Sequence, residues 1–324
     1  MNFNDLKQIE EVLPPAQDAD LANGLMAMQS KYSGNQYFLD PTNGNDAFDG
    51  LSPNKAKKTI DAAFALCTAA QNDRIYLMGG SSSVQVSSAF TWNKSYTHLI
   101  GVSAGGPYGR SRFGHTGAGP IVSLFTVSVN GCIFKNIHWQ QGNGYAAQLN
   151  NVVLGAACNY CYFENCHFDS PLNAIEGALA YRQLLFTALS RSNTFRNCWF
   201  GDWTAAPSST DGALIEFGGT NAGTQFFDCT FLINTTQATM VPIKCAVDVG
   251  GGNPPGYILF DNCNFLALST GVNVLATAPT VGKLVFLRCK MFGVANLSAT
   301  SSNVIMANGT AIDARYGGLG VVQA

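Results

Sequence analysis

Phe163-Glu164-Asn165-Cys166-His167-Phe168 sets the architecture, because its pattern, Phe-x-Asn-Cys-x-Phe, returns through the second half of the chain. One copy precedes it, Phe134-Lys135-Asn136-Ile137-His138-Trp139, and Phe195-Arg196-Asn197-Cys198-Trp199-Phe200 follows. Three looser copies are Phe226-Phe227-Asp228-Cys229-Thr230-Phe231, Phe260-Asp261-Asn262-Cys263-Asn264-Phe265 and Phe286-Leu287-Arg288-Cys289-Lys290-Met291. The fourth positions fall 29, 32, 31, 34 and 26 residues apart. A repeat of this period is the mark of a solenoid, in which no unit buries its apolar face alone.

Within each unit the first, fourth and sixth residues are apolar, so two-residue alternation breaks at the Asn. A bend is needed there, and Asn tolerates the left-handed backbone such a corner requires. If each block is one coil, equivalent residues lie about 4.8 Å apart. Asn136, Asn165, Asn197 and Asn262 then form a structural hydrogen-bonded ladder, and Cys166, Cys198, Cys229, Cys263 and Cys289 fill the interior with the Phe residues. On this reading Asn197→Asp leaves an unpaired or repelled buried polar group.

These repeats resemble the right-handed parallel β-helix of the pectate-lyase-like superfamily, whose coils carry a stacked asparagine ladder. A second resemblance lies in Tyr37-Phe38-Leu39-Asp40-Pro41-Thr42-Asn43-Gly44-Asn45-Asp46, Asp49-Gly50-Leu51-Ser52-Pro53, Lys58-Thr59-Ile60 and Asp73-Arg74-Ile75-Tyr76-Leu77. There the resemblance implies a first strand, an Asp/Gly loop, a short capping helix and the first coil strand. The helix stands on its own pattern too: Ile60, Ala63, Phe64 and Cys67 share one face between Thr59 and Ala70. The fold class expected is all-β, a right-handed parallel β-helix with a short N-terminal helical arm and a capping helix.

Residues 1–35 read as the arm, with Leu6, Ile9, Val12 and Leu13 on a helical face suited to docking on a partner. Residues 36–324 read as a single β-helix domain, with a cap at about 36–80, coils at about 81–292 and a tail at 293–324. The Gly-rich stretch from Gly101 to Gly119, with Arg110, Arg112 and His115, reads as a long exposed loop.

Composition limits the functions. The chain is 47% hydrophobic and only 12% charged, with a formal net charge of -2, so a large core is expected and nucleic acid is not an expected partner. No apolar run is long enough to span a bilayer, and MNFNDLKQIEEV lacks a secretory pattern, so no membrane is expected and synthesis is expected in a cytoplasm. The ten cysteines read as free buried thiols. Cys158 and Cys161 form one CxxC with no second pair, a weak zinc signal.

Glycoside hydrolysis needs two carboxyls. Asp202, Asp211 and Glu216 are the acidic candidates, with Trp199 and Trp203 as sugar-stacking surfaces. Their bland reading is turn chemistry and solvation. His138 and His167 at the fifth repeat position could bind a metal or a sugar, but outward-facing stacked polar residues are expected. Asp40, Asn43, Asn45, Asp46 and Asp49 could clasp calcium without EF-hand spacing, with tight Asx turns the favoured reading. Lys135, Glu164 and Arg196 suit a surface ion-pair ladder. No cofactor or metal is expected.

The profile of a rigid, low-charge rod with a helical arm resembles bacteriophage virion proteins, such as capsid decoration proteins, head fibres or tailspikes. That resemblance implies a non-enzymatic virion protein assembled in the host cytoplasm, forming a homotrimer and docking on capsid or other virion proteins. The alternative is a polysaccharide-depolymerising tailspike or glycan hydrolase or lyase, and a glycan is a candidate partner in either case.

Overall fold

The computed structural model describes residues 34–103, 105–115, 122–140, 150–169, 181–203, 211–235, 237, 239–245, 248–250, 256–268, 272–297 and 303–307. The arm face of Leu6, Ile9, Val12 and Leu13 and the end of the tail lie outside the described residues. The chain winds as a right-handed parallel β-helix whose strands form three parallel sheets of ten, eight and six strands. In a central coil, Tyr162–Glu164 lies in the ten-stranded sheet and His167–Phe168 in the eight-stranded one. Arg182–Phe186 then enters the six-stranded sheet.

The repeat is the corner between the first two sheets. Asn136, Asn165, Asn197, Asp228, Asn262 and Arg288 all have φ between 51° and 57°. Each swings the chain through one left-handed residue, so the following Cys or Ile137 turns inward. Register follows the motif, with Phe163 between Phe134 and Phe195 and Phe168 between Trp139 and Phe200.

The interior holds two columns of rings. Phe134, Phe163, Phe195, Phe226, Phe260 and Phe286 stack with centroids 4.6–4.9 Å apart. Trp139, Phe168, Phe200, Phe231 and Phe265 stack beside them at 4.6–5.0 Å. These spacings match the strand separation, so ring stacking and backbone pairing enforce the same rise. The thiols are part of this order. Cys166, Cys198, Cys229, Cys263 and Cys289 each point Sγ at the carbonyl of the first Phe in the preceding coil, at 3.4–3.7 Å. All ten cysteines are free.

The amides lie elsewhere than expected. Asn165 Nδ2 donates to Asn136 Oδ1 at 3.3 Å, Asn197 Nδ2 to Asn165 Oδ1 at 2.5 Å, and Asn262 Nδ2 to Asp228 Oδ1 at 2.7 Å. The ladder exists, but on the outer edge of the corner: Asn197 and Asn262 are exposed and the other two half-buried. A left-handed residue points its side chain away from the core, which is why Asp228 and Arg288 can replace Asn. The expectation of a buried polar group at Asn197 is therefore corrected.

The cap is a seven-residue helix, α1 (Ile60–Leu66), shorter than the Thr59–Ala70 pattern suggested. Thr59 Oγ1 accepts the Ala62 N–H at its start. Lys94 Nζ donates to the Phe64 and Cys67 carbonyls at its end, 2.7 and 2.6 Å away. Ile60, Ala63, Phe64 and Cys67 are buried as the periodicity required, with Phe64 4.5 Å from Trp92. Two further boundaries move. Arg112–His115 is a strand of the eight-stranded sheet with Phe113 wholly buried, so the Gly-rich stretch is not one long loop. Val304–Ala307 adds a last strand to the ten-stranded sheet, inside the segment read as tail.

Conformation rather than burial should govern position 197. Asn197→Gly is expected to leave the urea midpoint nearly unchanged, whereas Asn197→Val, β-branched at φ 51°, should cost about 1–2 kcal/mol. Equal midpoints for the two variants would contradict the left-handed corner.

Candidate functional site

Two groups of polar side chains stand on the outside of the coils. The first lies on the six-stranded sheet, where Arg182, Glu216 and Lys244 come from successive coils. Arg182, only 5% exposed, donates from Nε to Glu216 and pairs with Asp211 at 3.6 Å, while Lys244 binds Asp211 from the other side. Asp211 and Glu216 are thus brought together, but across a guanidinium. Burial acts to raise the Asp211 pKa, yet Lys244 and then Arg182 outweigh it and hold the carboxyl below its usual range. A general acid needs the opposite shift.

Asp202 belongs to the second group. It sits 1% exposed after the strand Trp199–Phe200, and its Oδ1 accepts the Tyr108 hydroxyl at 2.6 Å. Tyr108 arrives from the segment before Arg112–His115 and lies edge-on to His138 and His167, with centroids at 6.3 and 5.4 Å. Its own ring faces Trp203 at 5.8 Å, and Trp203 meets Trp199 at 5.4 Å. Tyr108 is 40% and Trp203 50% exposed, so the group ends in an aromatic platform open to solvent. Asn234 Nδ2 ties the Trp203 carbonyl to the next coil at 2.9 Å.

Beneath the platform the two histidines stack on the outer side of their strands as expected, but they are covered instead of open to solvent. His138 and His167 are 2% and 0% exposed and stack at 4.4 Å, because Tyr108 and its neighbours close over them. His167 Nδ1 accepts the Tyr108 N–H at 3.2 Å and Nε2 faces the Gly201 carbonyl at 2.8 Å. These partners assign a neutral ring protonated on Nε2. Burial first, and then His138, push its pKa down to about 4, against Asp169, Gly201 and Asp202. Burial likewise takes His138 down to about 4, opposed by the Gly109 carbonyl, aided by Arg112 and opposed by Asp202. His138 Nε2 also stands 3.0 Å from Asp169 Oδ2, a hydrogen bond that a neutral ring can donate.

His138, His167 and Asp169 each offer a ligand-type atom within 4.8 Å of the others. Their arrangement does not suit an ion. Both nitrogens of His167 already meet backbone groups, and lone pairs of face-stacked rings run side by side instead of converging. The remaining sequence candidates have local partners. Asp40 Oδ1 accepts the Thr42 and Asn43 N–H groups, Asn45 Oδ1 that of Ala47, and Asp49 Oδ1 that of Leu51, which are Asx turns. Asp46 accepts from Lys58 and Thr59 and so anchors the start of α1. Cys158 and Cys161 point their thiols at Asn193 Oδ1 and the Val129 carbonyl. Lys135 and Glu164 pair at 2.9 Å as expected, but Arg196 turns to Asp228 at 3.7 Å.

The sequence set Trp199 and Trp203 beside all three acids, whereas the structure keeps only Asp202 with them and sends Asp211 and Glu216 to Arg182. Tyr108 was not legible from sequence, since it lies in a Gly-rich stretch far upstream; the Pro107-Tyr108-Gly109 turn before a strand is the only local signal.

No protein-family model matches the chain, and no curated protein matches its sequence. Solved structures do match. A pectin methylesterase from Aspergillus niger is similar over 85% of each chain, with 17% identity and a TM-score of 0.55. A pectate lyase is similar over 84% of this chain and 72% of its own, with 15% identity and a TM-score of 0.56. A protein of Geobacillus virus E2, ORF18, is similar over 91% of this chain and 59% of its own, with 12% identity and a TM-score of 0.50. At such identities the likeness establishes the parallel β-helix fold. Among the described residues no helix is long and apolar enough to cross a membrane.

Removing the Arg182 guanidinium leaves two carboxylates facing each other. Arg182→Met should cost roughly 1–3 kcal/mol at pH 7, less than a fully buried pair because Asp211 is half exposed. The loss should shrink as pH falls below about 4, where Asp211, held low by Lys244 and Arg182, takes up its proton. A loss independent of pH in urea titrations would contradict the network.

Proposed function

We propose that this chain is a non-enzymatic structural protein of a bacteriophage particle, a decoration or fibre-type β-helix that docks through residues 1–35 and acts as a homotrimer. The observation that carries the non-enzymatic part is the Arg182 and Lys244 network. Asp211 and Glu216, the acids best placed for hydrolysis, are both charge-paired there, and Asp211 is shifted away from proton donation. The viral part is supported by the likeness to the Geobacillus virus protein, which extends over 91% of this chain. A rigid interior of stacked rings and a low charge suit a projecting scaffold.

One observation favours the second reading, a glycan-binding or depolymerising protein. Tyr108 and Trp203 present adjacent half-exposed rings fixed from below by Asp202 and the histidine stack, the kind of surface on which a sugar ring stacks. Binding without cleavage is compatible with both readings.

The two are separated by incubating purified protein with a polysaccharide panel and assaying new reducing or unsaturated ends. None are expected, while deletion of residues 1–35 should keep the β-sheet circular-dichroism signal and abolish co-sedimentation with the particle. Cleavage that Asp211→Asn abolishes would overturn the structural reading, and particle binding that survives the deletion would overturn the docking arm.

A further inference from the structure

The segment 105–111 crosses the outside of the solenoid from the coil of His98–Gly101 and touches several later coils. Gly106 N–H donates to the Asn165 carbonyl at 3.0 Å, Tyr108 N–H to His167 Nδ1 at 3.2 Å, and the Tyr108 hydroxyl to Asp202 at 2.6 Å. Its seat is tight, since a Cβ on Gly105 would stand 2.5 Å from that of Asn165. Tyr108 itself is held at φ 61°, a conformation that costs a bulky residue energy and persists only where surrounding contacts impose it.

We propose that residues 105–111 form an acid-released strap, latched by the bare Nδ1 of His167, whose opening takes Tyr108 off the Trp203 platform while the solenoid stays wound. The latch is a matter of donor and acceptor. Nδ1 receives the Tyr108 N–H only while unprotonated; a proton there sets two donors against each other and places a cation in a site 0% exposed. Nε2 offers no escape, because it already serves Gly201. Release also relaxes the Tyr108 backbone.

The groups facing His167 are His138 stacked below it, Asp169, Asp202 and the Tyr108 hydroxyl, with Arg112 beside His138. Burial and His138 depress His167, and the two carboxylates only partly offset them. A depressed histidine favours the closed strap fully above its solvated value of about 6.5 and loses that advantage as pH falls toward 4. His138 is also depressed by burial, with the Gly109 carbonyl and Asp202 opposing only in part, so its protonation acts in the same sense and adds to release. The variants are made at His167, whose Nδ1 alone receives the Tyr108 N–H.

Hydrogen exchange of the full chain, read by mass spectrometry on the peptide spanning 105–111 and corrected for intrinsic rates, tests the latch. In the unaltered protein, protection of this peptide should fall roughly tenfold per pH unit between about 6.5 and 4 while peptides of the ten-stranded sheet keep theirs. His167→Asn keeps an acceptor near Nδ1 that does not titrate, so its protection should fall clearly less steeply than that of the unaltered protein, with only His138 left to titrate under the strap. His167→Gln keeps a donor for Gly201 but lacks that acceptor, so its strap should be unprotected at pH 7. The proposal is overturned if strap protection stays constant or rises in acid, if strap and sheet lose protection together, if His167→Asn is as acid-sensitive as the unaltered protein, or if His167→Gln matches it at pH 7. Should a variant not fold, the profile of the unaltered protein decides alone.

Discussion

One left-handed residue per coil governs this molecule. At the corner between the ten- and eight-stranded sheets, a single backbone position near φ 53° turns the chain, and it does so six times in succession. The turn brings Phe at the first place and Phe at the sixth into the same interior, and it aims the intervening thiol at the carbonyl of the coil before. Ring columns and strand pairing then share one repeat distance. A change of corner geometry in one coil would misplace both columns at once, which is why the motif is more regular than the spacing between its copies.

That division explains what could be read from sequence. The corner and its flanking rings are dictated by local chemistry, so Phe163, Asn165, Cys166 and Phe168 announce their places. The six-stranded sheet carries no such signature, because strands such as Asn150–Leu154 and Arg182–Phe186 share no residue type at equivalent points and are buried on both faces. The ladder amides were legible as stacked but not as exposed, since left-handed geometry rather than polarity decides which way Asn197 points. The outer position and stacking of His138 and His167 were legible, but their burial was not, because Tyr108, some thirty to sixty positions upstream, covers them.

The same contrast applies to the surface. Asp211 and Glu216 meet as the sequence reading allowed, but Arg182 from the preceding coil stands between them, and no local pattern announces a cation there. Asp202 was grouped with these acids by proximity in the chain, whereas its bond to Tyr108 makes it a support of the aromatic platform. The fold therefore places its polar investment beneath exposed rings and in closed ion pairs, an arrangement suited to presenting a fixed surface.

Stacking of successive motifs is the claim on which all of this depends, and a cysteine cross-link measures it directly. Glu164 and Arg196 are register partners on adjacent coils, and Phe227 lies one coil further on. Adjacent parallel strands put Cα atoms about 4.8 Å apart, within disulfide range, while two coils give about 9.6 Å, beyond it. Under mild oxidation the double variant Glu164→Cys with Arg196→Cys should cross-link rapidly, and Glu164→Cys with Phe227→Cys should not. Equal cross-linking in both, or none in the first, would contradict the winding.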